Sequence, residues 1–223
     1  MIDKSLTDVG LKDILSLTIP GQTIRECSCR EDHECVNEIK EEVFTCADKC
    51  WYKFREITNN PLALKACIDA KENIFNDFVT CVQGHLDSCV NDMNGPQIPK
   101  HDLLKMLAYG EQKIVASREG LLKNAVMRPI KHILETTLEF GACVKDCFLT
   151  KNRDGFCFDR IGCQPLITED HAMRTLKHCI KQLDWKREAS SLCDCSVNAG
   201  VSTLERYCPM LRLMSQRGGR RQG

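Results

Sequence analysis

The chain contains no run of about 18 apolar residues, which excludes a membrane-spanning helix. It has no surplus of charge: 31 basic and 31 acidic residues are mixed along 223 positions. A nucleic-acid partner needs a basic stripe that displaces counterions from phosphates, so nucleic acid is excluded too. There is no Cys-x2-Cys knuckle, the usual mark of a structural zinc site. The first residues, MIDKSLTDVGLKDILSLTIPGQ, lack the basic segment and apolar core of a signal peptide. They read as an amphipathic helix with Leu11, Ile14, Leu15 and Leu17 on one side. Their form points to a leader already removed or a truncated gene model.

What is abundant is cysteine, sixteen residues in all. Eight lie upstream (Cys27, Cys29, Cys35, Cys46, Cys50, Cys67, Cys81 and Cys89) and eight downstream (Cys143, Cys147, Cys157, Cys163, Cys179, Cys193, Cys195 and Cys208). So many thiols are a liability in a reducing cytosol unless they bind metal, and these spacings are not those of metal ligands. All sixteen are therefore expected in disulfides, and the chain in an oxidising, secreted or luminal compartment.

Helical periodicity dominates the rest. Pro20-Gly21 opens a loop carrying Cys27, Cys29 and Cys35, and Glu31 to Cys35 reads as part of that polar loop. Val36, Ile39, Val43, Cys46, Cys50, Phe54 and Ile57 then step by three and four residues along one helix stripe. Asn59-Asn60-Pro61 stops it, and a second helix runs from Leu64 through Ile74, Phe78 and Cys81 towards Val90. A short turn between two helices predicts an antiparallel hairpin. Paired residue numbers should then sum to about 119, which favours rungs Cys50–Cys67 and Cys35–Cys81, with Cys27 or Cys29 opposite Cys89.

Residues 97–139 hold no cysteine and continue at helical steps, interrupted by Gly110, Gly120 and Pro129, as a packed connector. Further helices are expected from Thr137 through Cys147, from Thr168 through Leu183, and over roughly Val201 to Met214. Thr168-Glu169-Asp170 carries a capping hydroxyl and first-turn acids. Arg217, Arg220 and Arg221 make residues 215–223 a disordered basic tail. Cys46, Cys50, Cys67 and Cys81 match Cys143, Cys147, Cys163 and Cys179 at offsets of 97, 97, 96 and 98, and both Cys-x3-Cys pairs are followed by an aromatic residue. That register suggests an internal duplication. The fold class expected is all-α, made of disulfide-stapled helical hairpins. Two related cysteine-rich modules, 1–96 and 140–214, flank the 97–139 connector.

Chemistry is scarce. A secreted phospholipase site needs a His-Asp pair on a cysteine-flanked helix and a Gly-rich calcium loop. Here His101-Asp102 stands far from any cysteine, at an exposed helix start, and no such loop exists. His171, His178 and Cys179 lie within two helical turns, but Cys179 belongs in a disulfide and both histidines suit a wet surface. Trp51-Tyr52, Phe156 and Phe158 either line a pocket or cover disulfides, and the second is the more ordinary use. No catalytic, cofactor-binding or metal-binding residue is assigned, and no cofactor is expected.

The Cys-x3-Cys at 143–147, GFCFDRIGCQP at 155–165, LCDC at 192–195 and NAGVSTLERYCPML at 198–211 resemble the cysteine-rich helical domain of nematode secreted proteins named after chondroitin proteoglycan 4. The resemblance covers about a third of the chain. It implies an extracellular helical domain of matrix, eggshell or secretions. There is no Ser-Gly dipeptide for chondroitin attachment and no Asn-x-Ser/Thr sequon, so the chain is not itself a proteoglycan core. The function expected is that of a secreted, non-catalytic structural or interaction module whose partner is an extracellular protein or matrix component. The alternative is a carrier of a lipid or other small apolar ligand, enclosed chiefly by the apolar positions of 103–138.

Overall fold

A computed structural model describes residues 4–123, 125, 128–183 and 185–218. Ten α-helices and three short strands make up its regular structure. The class is all-α, with eight disulfides stapling helices to one another and no free cysteine. Residues 215–218, expected in a disordered tail, instead belong to the last helix, which reaches Gly218, and residues 219–223 lie outside the described residues.

The first helix, α1 (Lys4–Leu15), leads into strand β1 (Thr18–Glu26), where the sequence suggested a loop. β1 pairs antiparallel with β2 (Gln97–His101) and parallel with β3 (Cys163–Gln164), in the order β2-β1-β3. Proline normally excludes a central strand, because it donates no ladder hydrogen bond. Here the β1–β2 register shifts between Thr18 and Thr23, so Pro20 and Gly21 (φ 72°) sit where pairing lapses, and Pro99 lies on the edge strand. Glycine is required at Gly95: a Cβ there would stand 2.4 Å from the Glu26 carbonyl oxygen.

Helix α2 (Cys29–Cys50) begins earlier than its apolar stripe suggested. Ser28 and Glu31 form a capping box, the serine hydroxyl accepting from the Glu31 N–H and the carboxylate from the Ser28 N–H at 2.9 Å. The stretch Glu31 to Cys35 is thus the first two turns of a helix and not a polar loop. A 3-10 turn (Trp51–Glu56) follows, then α3 (Pro61–Asp69) and α4 (Glu72–Leu86). The cysteine-free segment forms α5 (Leu103–Leu122), and α6 (Lys131–Lys151) carries the second Cys-x3-Cys. The remaining helices are α7 (Cys157–Ile161), α8 (Glu169–Gln182), α9 (Trp185–Asn198) and α10 (Cys208–Gly218).

The hairpin rungs are overturned. Cys50 bonds Cys143, Cys46 bonds Cys147, Cys35 bonds Cys157 and Cys27 bonds Cys163. Cys67 bonds Cys195 and Cys81 bonds Cys179, so neither Cys50–Cys67 nor Cys35–Cys81 exists. Of the three expected rungs only the one to Cys89 is present, made by Cys29. The last bond, Cys193–Cys208, ties α9 to α10. The physical reason is that α2 packs antiparallel on α6 and not on α3. The four bonds from Cys27, Cys35, Cys46 and Cys50 follow one ladder, residue numbers falling on one side as they rise on the other.

Cysteines matched at the offset of 97 are bonded across: Cys46 and Cys50 exchange partners with Cys143 and Cys147, and Cys81 meets its own counterpart, Cys179. The remaining matched pair departs from this pattern, Cys67 bonding Cys195 and Cys163 bonding Cys27. Six of the eight disulfides join the upstream set to the downstream one, and the two stretches interlock.

An apolar cluster sits beneath this frame. Phe54, Leu64, Ala199 and Val201 are buried in it, with Trp51 and Phe140 against them. The Trp51 and Phe54 ring centroids are 4.5 Å apart, and those of Phe54 and Phe140 4.9 Å. The indole N–H donates to the Pro61 carbonyl at 2.7 Å, so the half-buried donor is satisfied.

Candidate functional site

Helix α4 is where this architecture leaves room. It carries Ile74, Phe75, Phe78, Val79, Val82 and Leu86, yet none of its residues is buried. The cause is its anchoring. One disulfide, Cys81–Cys179, holds it to α8 at a Cα separation of 5.8 Å. Polar ties fix the ends. Lys71 donates to Glu188 at 2.8 Å and Ser191 at 2.7 Å, and the Thr175 hydroxyl donates to the His85 carbonyl at 2.8 Å. Asp87, with φ 49°, turns the chain out of the helix in the left-handed region. With α4 pinned to α8 and its ends fixed, its apolar sides open onto clefts.

Between α4, α2, α7 and α8 lies a cleft of about 300 Å3, walled by Val36, Phe78, Val82, Phe158, Ile167 and Leu176. One carboxylate, Asp32, opens into it beside Ser88, whose hydroxyl donates to it at 3.5 Å. Burial pushes the Asp32 carboxyl above the ordinary carboxylate range, and the Ser88 hydroxyl opposes this. On the side facing α2 and α3 lies a wider groove of about 930 Å3, with Trp51, Phe140 and Leu192 among its walls. Phe44, Ile68 and Phe75 stand on its rim, 37%, 40% and 46% exposed, and the Phe44 and Phe75 rings meet edge-on at 5.4 Å. Glu41, Asp48, Asp69 and Glu72 line it against only Lys65 and Lys71. Both lysines are already matched, Lys65 by Asp48 and Asp69, Lys71 by Glu188. The groove is apolar with an acidic rim.

The other singled-out residues fall in several places. His101 closes β2, half-buried and not exposed, and burial lowers its basicity. His171 and His178 do not converge. His178 instead lies against His85 of α4, ring centroids 4.5 Å apart, with the Cys81 sulfur near both. That sulfur is consumed by its disulfide and offers no thiolate. Phe156 is buried, Tyr52 is 53% exposed, and Trp51 serves both the core and the groove. On helix α5, Leu104 and Ile114 are each 59% exposed, and the apolar clefts described here lie along α4. The signal that could have shown this is the breadth of apolar residues on α4, wider than one packed stripe requires.

These features define a helical frame braced by disulfides around open apolar clefts. No helix among the described residues is long and apolar enough to cross a membrane. No family model, no curated protein and no solved structure matches the chain.

Proposed function

We propose that the chain is a secreted, non-catalytic interaction module of extracellular matrix, eggshell or secretions, as its resemblance to the chondroitin proteoglycan 4 domain implies. The observation that carries this reading is the groove between α2, α3 and α4: three large apolar side chains stay exposed on a frame that six cross-linking disulfides hold in shape. Contiguous exposed apolar surface with a polar rim is how proteins meet partners. Four carboxylates against two ammonium groups select the occupant, an amphipathic segment of an extracellular protein with basic residues flanking its apolar ones. Disulfides keep the frame folded outside the cell, each contributing ~2–4 kcal/mol.

The test places a photo-crosslinking side chain at Phe75 and, as a control, at Leu213, in protein incubated with native extracellular extract. A single adduct from position 75, absent from position 213 and abolished by Phe44→Asp, supports the reading. Equal labelling from both positions contradicts it.

A second reading, the carrier of a small apolar ligand, is favoured by the narrower cleft between α4, α2, α7 and α8. Solvent extraction of the natively secreted protein that yields no bound apolar molecule would remove it.

A further inference from the structure

Two carboxylates beside this fold's apolar regions, Glu31 and Glu188, are met by cations, and Asp32 is not. Glu31 receives the Arg25 guanidinium at 2.8 and 2.9 Å together with the Ser28 hydroxyl and N–H, and Glu188 receives Lys71. Asp32, the next residue after Glu31, faces the apolar cleft and has only the Ser88 hydroxyl, at the long distance of 3.5 Å. The neighbouring His33 is exposed, and no ion pair reaches Asp32 among the described residues. A carboxylate held against apolar walls costs free energy unless a cation or donors meet it. The dipole of α2 offsets part of that cost but puts no donor into the cleft. Groups left in this condition concentrate at binding sites.

We infer that this cleft binds a small apolar amine, its hydrocarbon body against Phe78, Val82, Phe158 and Leu176 and its ammonium between Asp32 and Ser88. The inference rests on the carrier reading above. An anionic ligand would face Asp32 with like charge. A neutral one would leave the carboxylate as poorly met as before. The volume, about 300 Å3, lies at the low end of ligand clefts and suits a single ring or short chain, not a two-chain lipid. The cleft is open along one side, so no part of the frame need unfold for entry.

Three probes of one shape test this on the intact, oxidised protein: 2-phenylethylamine, 2-phenylethanol and phenylacetate, titrated by calorimetry and by the methyl resonances of Val36, Val82 and Ile167. The amine is expected to bind at least about tenfold more tightly than the alcohol, as one charge-assisted contact supplies, and phenylacetate not at all. Asp32→Asn should bring the amine down to the level of the alcohol while leaving the alcohol unchanged. Val82→Trp should remove both. An alcohol that binds as tightly as the amine, or an amine indifferent to Asp32→Asn, overturns the inference and leaves the carrier reading standing. Failure of both probes to shift the cleft methyls also overturns it. The carrier reading itself falls only if the native protein yields no apolar ligand on extraction.

Discussion

At the scale of single residues, neighbouring acids at the start of α2 have opposite fates. Glu31 is buried, and the Arg25 guanidinium and Ser28 donors hold its carboxyl down to about 2, against burial, which acts the other way. A carboxyl depressed on folding contributes stability that is present above its unfolded value, near 4.5, and is lost as pH falls towards 2. Glu31→Gln should therefore cost about 2 kcal/mol at neutral pH. Urea titrations of both proteins at several pH values should show that difference shrinking between about pH 5 and pH 2. Asp32 has the opposite sign. Its carboxyl is raised, so it detracts from stability once pH exceeds its unfolded value, and Asp32→Asn should fold at least as stably at neutral pH. A residue that costs stability and sits in a cleft is what a binding role would retain. The Ser28-x-x-Glu31 cap was written in the sequence, and reading the stretch as a loop overlooked it because the apolar stripe begins only at Val36.

At the scale of elements, helix α4 carries a disulfide of the cross-linked frame yet has no buried residue. Its hold on the body is one disulfide and a few polar ties, so its amides should exchange with solvent faster than those of α2, which is bonded to the opposite half at Cys35, Cys46 and Cys50. Replacing Cys81 and Cys179 by serine should cost about 3–4 kcal/mol by the chain-entropy account, because the nearby Cys67–Cys195 bond shortens the loop that the lost bond closes, and should raise exchange in α4 above all. Hydrogen exchange read by mass spectrometry checks both parts, and uniform exchange across α2 and α4 would count against the description. Most helices were legible, since Val36, Ile39, Val43 and Cys46 cannot share a face in any other regular structure, but α7 and α9 were not expected. Packing partners were not. The stripe of α2 looks the same whether it meets α3 or α6, and the Asn59-Asn60-Pro61 turn favoured the nearer one. The strands were illegible for a local reason: β1 contains Pro20-Gly21 and β3 is two residues long. The clefts were missed because apolar residues facing a void and apolar residues facing a core look alike in one dimension.

At the scale of the whole molecule, the account is of a single interlocked frame. The constant-sum rule for antiparallel helices was sound, but it was applied about the wrong turn. Cys27, Cys35, Cys46 and Cys50 satisfy it against Cys163, Cys157, Cys147 and Cys143 about as well as the expected rungs do within the first half, so the rule alone could not choose between the two turns. Everything proposed about the clefts depends on these cross-bonds, because they fix α2, α6 and α8 around α4. The most direct test is peptide mapping without reduction, after free thiols are blocked and the chain is cut with trypsin in urea slightly below neutral pH, where the enzyme still works and thiol exchange is slow. Cutting at Lys49 and Lys145 separates each Cys-x3-Cys pair. The account predicts one linked species joining EEVFTCADK to DCFLTK and another joining CWYK to HILETTLEFGACVK, with no free thiol. Recovery of CWYK linked to the peptide carrying Cys67, or of free Cys193 and Cys195 with bound zinc, would contradict it.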